Sequence, residues 1–160
     1  AGDKDAAEKH LMGVLTGDYP REIRAQAAEE LMGSLGTTAK DYTAAVFHQP
    51  NPKFPERAAK TLGFKTAQTR AGMLCPMVGN TYAGSAMLGL TAILDEAKPG
   101  DRVLMVSYGS GAGSDAFSLR ITDKIVERRD RAPHTQVYVE RRKTIDYGTY
   151  VRYRKKLHMH

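Results

Sequence analysis

The sequence predicts an α/β fold: a mixed sheet with helices on both of its faces. Three observations carry this reading. Short apolar segments of strand length, Thr43–His48 and Val103–Ser107, are interleaved with longer segments of helical period. Glycine and proline punctuate the junctions between them. The strand at Val103–Ser107 is followed by a glycine-rich stretch, Gly109–Ser114, and a returning strand at Ala116–Ile121. Helices between strands call for layers, and a glycine-linked strand pair calls for an antiparallel edge, so the sheet is mixed.

Taken in chain order, residues 1–17 read as a weak helix or an irregular arm. Pro20 opens the first firm helix, with Asp18 just upstream as its cap. Ile23, Ala27, Leu31 and Leu35 fall on one face of that helix, and Gly36 stops it. Thr43–His48 (TAAVFH) is a buried strand. Asn51 and Pro52 start a second helix whose inner face is Phe54, Ala58, Ala59 and Leu62, ended by Gly63. Met73–Val78 is another short apolar run, read as a strand and interrupted by Pro76. An apolar helix follows from about Ala86 to Ala97. Its small residues Gly84, Ala86, Gly89 and Ala92 predict burial and close approach by other backbone. Lys98-Pro99-Gly100-Asp101 is a turn. Beyond Thr122 the chain is strongly charged, with two helices placed at Thr135–Lys143 and Ile145–Lys155. The domain is set at 18–157, with 158–160 as a tail.

The chain has 160 residues, 41% of them hydrophobic and 26% charged, which suits one domain or half of a larger one. No apolar run approaches the ~20 residues of a spanning helix, so a membrane protein is excluded. Cys75 is the one cysteine, which excludes a disulfide framework and a cysteine-rich zinc site. A reducing, cytoplasmic compartment is expected. No signal-peptide core stands at the N-terminus. The chain does not begin with Met, which fits a piece of a longer protein. The net charge of +6 is uneven: residues 1–119 balance at −1 and residues 120–160 at +7. This reads first as a solvated basic surface. The second reading is a face for an anionic partner, either an acidic protein or a ligand's phosphates. No nucleic-acid motif accompanies it, so nucleic acid is set aside.

Several residues are candidates for chemistry. His48 ends a buried strand just before a proline-broken turn, where α/β active sites commonly lie; a hydrogen-bonded structural histidine is the even alternative. Asn80 follows a glycine and precedes the apolar helix; its amide can donate to an oxyanion, or simply cap a turn. Gly109–Ser114 does not fit a dinucleotide loop: its third glycine is displaced and a strand, not a helix, follows. It reads instead as a backbone wall that a ligand can approach closely, with a plain hairpin loop as the alternative. Lys53 opens a helix near His48, where it can meet a phosphate or stand as an ordinary surface lysine. Cys75, among Leu74, Pro76, Met77 and Val78, reads as a small buried hydrophobe. Asp115 is a turn residue, and His158 and His160 take no role.

Three segments occur in order: His48-Gln49-Pro50-Asn51-Pro52-Lys53-Phe54-Pro55, Gly79-Asn80-Thr81-Tyr82-Ala83-Gly84-Ser85, and Ser107-Tyr108-Gly109-Ser110-Gly111-Ala112-Gly113-Ser114-Asp115-Ala116-Phe117. Together they resemble the C-terminal half of hydroxymethylglutaryl-CoA synthase of the archaeal type, over about Pro20 to Tyr153. The Asp146-Tyr147-Gly148-x-Tyr150 tail is similar too. The resemblance implies the C-terminal half of a thiolase-like fold. It implies an acyltransferase of the mevalonate route to isoprenoids, condensing acetyl-CoA with acetoacetyl-CoA and needing no cofactor or metal. His48 would stabilise or protonate the developing alkoxide, and Asn80 would donate in the oxyanion hole. Ser107, Gly109, Ser110, Gly111 and Tyr82 would line the thioester site, and Lys53 the CoA entrance. Pro52 departs from the glycine expected before the lysine. The family's cysteine nucleophile and glutamate base belong to an N-terminal half, and no segment here matches either. The isolated chain is therefore expected to be inactive.

Two other readings stand beside this one. One is a condensing enzyme like ketoacyl synthase III, which also uses histidine and asparagine in such contexts. The other is a non-catalytic subunit that binds CoA thioesters or scaffolds a complex. The resemblance also implies association with an acetoacetyl-CoA thiolase and a small zinc/OB-fold protein. A half-fold would bare a large apolar face, so an oligomer or a tight partner is expected.

Overall fold

The computed structural model describes residues 23–109 and 113–155. Its centre is a three-stranded sheet in the order β1 (Ala44–Phe47), β2 (Arg102–Gly109), β3 (Gly113–Arg120). β1 runs parallel to β2, with Ala45 opposite Leu104 and Phe47 opposite Val106. β3 runs antiparallel to β2, so the sheet is mixed, as predicted.

Strand alternation divides the core in two. Ala45, Phe47, Leu104 and Val106 face α1 (Ile23–Ser34) and α2 (Lys53–Thr61), and pack with Ala28, Met32, Ala58, Ala59 and Phe64. Val46, Val103 and Met105 face the other way, onto Ala86, Leu90 and Ile93 of α5 (Ser85–Glu96). Both sides of the sheet are covered, which explains why Ala44–Phe47 and Val103–Val106 are apolar without a break. Tyr42 and Phe64 stack obliquely at 5.9 Å and Phe47 meets Phe64 edge-on at 6.0 Å, closing the first layer.

Two short helices fill the crossover before α5: α3 (Thr66–Thr69) and α4 (Cys75–Val78). Gln68 ties α3 to the approach to β1, its Nε2 donating to the carbonyls of Ala39 at 2.8 Å and Tyr42 at 2.7 Å. Three further helices follow the sheet: α6 (Lys124–Arg128), α7 (Thr135–Glu140) and α8 (Tyr147–Tyr153). Asp146 caps α8, its Oδ1 accepting from Thr149 N–H at 2.8 Å. The Thr149 backbone and hydroxyl hydrogen bonds hold the Asp146 carboxyl below its usual range. That contribution is present once the carboxylate is ionised and is lost as pH falls through the depressed value.

Four sequence expectations are corrected. Asp115 is not a cap or turn residue: it lies within β3, opposite Ser107. The stretch Met73–Val78 is not a strand: Cys75–Val78 is a single helical turn, because Pro76 in a first turn needs no hydrogen-bonded N–H. The face of α1 is set differently. Ala25, Ala28 and Met32 are buried, while Leu35 is 51% exposed. Small side chains let this helix lie close to the sheet, which a stripe drawn through the larger residues overlooks. On α2, Pro55 is buried with Ala58 and Ala59, whereas Phe54 is exposed. The expected N-terminal arm, Asp18, Pro20 and the boundary at 157 lie outside the described residues.

The close approach predicted for the apolar helix is present at Gly89. A Cβ there would stand 2.5 Å from the Gly72 carbonyl oxygen, 2.6 Å from Val46 Cγ2 and 2.9 Å from Gln49 Nε2. Gly89→Ala is expected to destabilise the protein by about 1–3 kcal/mol through overpacking, despite the better helix propensity of alanine. Gly33→Ala, at an exposed α1 position with open space around it, is expected to stabilise by about 0.5–1 kcal/mol. Urea unfolding of the pair checks both signs.

Candidate active site

β1 delivers His48 to the end of the sheet. The ladder continues one residue past the strand, with His48 N–H donating to Val106 O at 2.8 Å. His48 is 7% exposed. Its ring lies 5.6 Å from that of Tyr108 on β2. Its Nδ1 sits 3.0 Å from the hydroxyl of Ser85, the first residue of α5. The histidine is therefore held from the backbone, from one ring face and from one ring nitrogen.

The next residue organises the surroundings. Gln49 is 2% exposed, and its side chain makes four hydrogen bonds. Oε1 accepts from Leu74 N–H at 2.7 Å and Cys75 N–H at 2.9 Å. Nε2 donates to Gly72 O at 2.7 Å and Ser85 O at 3.3 Å. Its backbone N–H donates to Ser85 Oγ at 3.1 Å. One carboxamide thus joins the end of β1, the 72–75 turn and the start of α5. It adds hydrogen bonds to four buried backbone groups, two of which, Leu74 N–H and Gly72 O, also bond to each other at 3.1 Å.

Asn80 lies on the turn between α4 and α5. Gly79 and Tyr82 both have positive φ there, 77° and 53°. Asn80 Oδ1 accepts from Tyr82 N–H at 2.8 Å, which settles which amide atom is which and turns the Nδ2 donors the other way. The turn reading and the donor reading of Asn80 are thus compatible. Tyr82 is 77% exposed and carries a backbone conformation unusual for its size.

Ser107 and Gly109 are half-buried on the last residues of β2, and Ser107 O accepts from Ser114 Oγ at 2.8 Å. Gly109 pairs with Gly113 across the hairpin. Ser110 and Gly111 lie outside the described residues. Lys53 is exposed at the first position of α2, its backbone N–H donating to Asn51 Oδ1 at 3.1 Å. The structure brings His48, Tyr108 and Ser85 together at the end of β1 and the start of α5, and Asn80 is exposed on the turn that leads into α5. Ser85, Gln49 and Tyr108 are the residues that motif reading passed over as site members. Their signal is polar or aromatic identity beside His48 and Asn80 within the same motifs.

Cys75 is buried on α4, its thiol 3.9 Å from Met73 Sδ. Burial pushes the thiol above its usual value, and the negative charge of Glu56 adds to this. Arg120 stands opposite Arg102, at the end of β2 away from Tyr108. Among the described residues, the only ion pair is His134 with Asp130, at 3.1 Å. A concavity of about 580 Å³ between Val78, Leu88, Leu94, Ile125, Tyr138 and Val139 contains none of the predicted site residues. Among the described residues, no helix is long and apolar enough to cross a membrane.

Fold and site define a unit of the thiolase-like class. The chain belongs to the family described as 3-oxoacyl-[acyl-carrier-protein (ACP)] synthase III C terminal, matched over residues 32–121. A hydroxymethylglutaryl-CoA synthase from Methanocella arvoryzae is 50% identical over 147 residues, covering 91% of this chain and 42% of that protein. One from Thermococcus kodakarensis is 56% identical over 130 residues, covering 81% and 37%. A solved hydroxymethylglutaryl-CoA synthase from Bacillus subtilis superposes with a TM-score of 0.65 at 23% identity, covering 94% of this chain and 39% of that one. The resemblance carried by the three motifs is thereby borne out. The chain spans about two fifths of the length of the curated relatives it matches.

Two outcomes are expected. Gln49→Leu keeps the volume and removes four hydrogen bonds from a buried junction, so stability falls by about 2–4 kcal/mol in urea unfolding. Cys75, kept protonated by burial, is alkylated by iodoacetamide at neutral pH at least about tenfold more slowly in the native chain than in the unfolded chain. Equal rates would contradict the assignment of a buried, inert thiol.

Proposed function

We propose that this chain is the C-terminal part of a hydroxymethylglutaryl-CoA synthase. It would condense acetyl-CoA with acetoacetyl-CoA as part of a two-half enzyme and be inactive alone. The observation that carries the reading is His48, buried at the strand end with its Nδ1 against the Ser85 hydroxyl at the start of α5. The high identity to synthases of that name supports the choice of substrates.

The chemistry assigned to these residues follows. An acetyl group on a cysteine thiol of the other half loses a methyl proton to a carboxylate base there. The carbanion attacks the acetoacetyl ketone, forming a carbon–carbon bond as the carbonyl π pair moves onto oxygen. His48 donates a hydrogen bond to that oxygen and stabilises its developing charge, and the proton taken up by the carboxylate base returns through water to the alkoxide. Asn80 Nδ2 donates to an oxyanion during acyl transfer. Water then cleaves the thioester to the enzyme and frees the product. Ser107, Gly109, Ser110, Gly111 and Tyr82 line the thioester channel, and Lys53 meets CoA phosphate at its mouth. Cys75 has no place in this scheme: it is buried and protonated.

The family description favours a second reading, condensation on an acyl-carrier protein in the manner of ketoacyl synthase III. The test joins this chain to a half bearing the cysteine and follows acetoacetyl-CoA consumption. Turnover is expected, with His48→Ala lowering kcat by about 10²–10⁴-fold and Asn80→Ala by about 10²–10³-fold. Acceptance of malonyl-acyl-carrier protein in place of acetoacetyl-CoA would establish the second reading. CoA-thioester binding without turnover by a verified two-half protein would leave a binding subunit.

A further inference from the structure

We propose that Ser85 is a positioning residue that holds His48 as the tautomer with its hydrogen on Nε2. The argument is a count of hydrogens around one buried oxygen. Ser85 is 3% exposed. Its Oγ makes two contacts, with Gln49 N at 3.1 Å and His48 Nδ1 at 3.0 Å. A backbone N–H can only donate, so Gln49 fills one lone pair of that oxygen. The hydroxyl has one hydrogen to place, and Nδ1 is the acceptor beside it. With the hydrogen on Nδ1 instead, the oxygen would receive two donors. Its own hydrogen would then be buried without an acceptor, the arrangement folded proteins avoid. A ring accepting at Nδ1 carries its hydrogen on Nε2.

The frame leaves little room to escape this choice. Gln49 Nε2 grips the Ser85 carbonyl at 3.3 Å and the Gly72 carbonyl at 2.7 Å, so Ser85 is fixed to residue 49 through both its hydroxyl and its backbone. His48 is fixed to the sheet by its own N–H. Ring and hydroxyl are thus registered by groups that belong to neither. The catalytic consequence rests on the reading of His48 given above: a neutral ring with hydrogen on Nε2 offers a donor, not a base, to a ketone oxygen. The tautomer itself does not rest on that reading.

The test is nitrogen-15 NMR of histidine-labelled chain, with the His48 signals identified by their loss in His48→Gln. Two-bond proton couplings report which ring nitrogen carries hydrogen. The expected wild-type pattern has Nδ1 unprotonated and Nε2 protonated. Ser85→Ala is expected to give a mixture of tautomers, and Ser85→Thr to keep the wild-type pattern. A wild-type signal with hydrogen on Nδ1 overturns the proposal. So does a Ser85→Ala chain, folded by circular dichroism, that keeps the wild-type tautomer. In the assembled two-half enzyme, Ser85→Ala is expected to lower kcat at least about tenfold, within the 10²–10³-fold supplied by a positioned oxyanion donor. KM should change little, and threonine should restore the rate. A shifted tautomer with undiminished kcat would leave the hold on His48 standing and remove His48 from stabilising the alkoxide.

Discussion

The structure turns on the carboxamide of Gln49. Three pieces of chain that are distant in sequence meet at it: the end of β1, the 72–75 turn and the first residue of α5. Regular structure ends at this point, and the amide adds bonds that hold the three pieces to one another. A planar amide with one acceptor face and one donor face solves both ends together. It also makes the junction specific, because a shift of either partner by one residue would strand at least two buried polar groups.

Close packing at Gly89 follows from the same junction. The Gln49 amide reaches the Gly72 carbonyl only because the backbone of residue 72 lies against the face of α5. A side chain at residue 89 would occupy the space that carbonyl needs. The glycine, the glutamine and the serine are therefore parts of one arrangement, although they belong to a helix middle, a strand end and a helix start. Its product is a histidine whose position is set by covalent neighbours rather than by its own contacts alone. A rigid scaffold of this kind suits a site that must present one atom in one direction.

How much of this was legible follows from where the constraint acts. β1, β2 and α5 are buried on several sides, so apolar composition announces them. The β2–β3 hairpin is announced by its glycines. His48 could be located because a polar residue directly after Ala-Ala-Val-Phe has few reasons to be there. The face of α1 was misplaced because alanines at 25 and 28 carry little hydrophobic signal, yet they permit the closest approach to the sheet. Cys75–Val78 was misplaced because an apolar run around a proline looks the same whether it is extended or turns once as a helix. Gln49 was passed over because its partners are backbone groups 23 to 36 residues away. No spacing rule in the sequence reports contacts of that kind. Asn80 was legible as a turn residue and as a donor, and the turn geometry shows why both hold: accepting through Oδ1 is what orients Nδ2.

The distribution of polar groups separates chemistry from charge. Among the described residues, the cations beyond Arg120 are exposed apart from Arg129, and Arg120 itself pairs with Arg102 at the end of β2 away from Tyr108. Exposed charges of this kind are screened within about 10 Å in ordinary salt. The groups seen to hold His48 include a tyrosine ring, a hydroxyl and a backbone carbonyl, each of them neutral. Such groups act by placing dipoles rather than by gathering charge. The hydroxyl of Ser85 is the dipole that faces the imidazole at Nδ1.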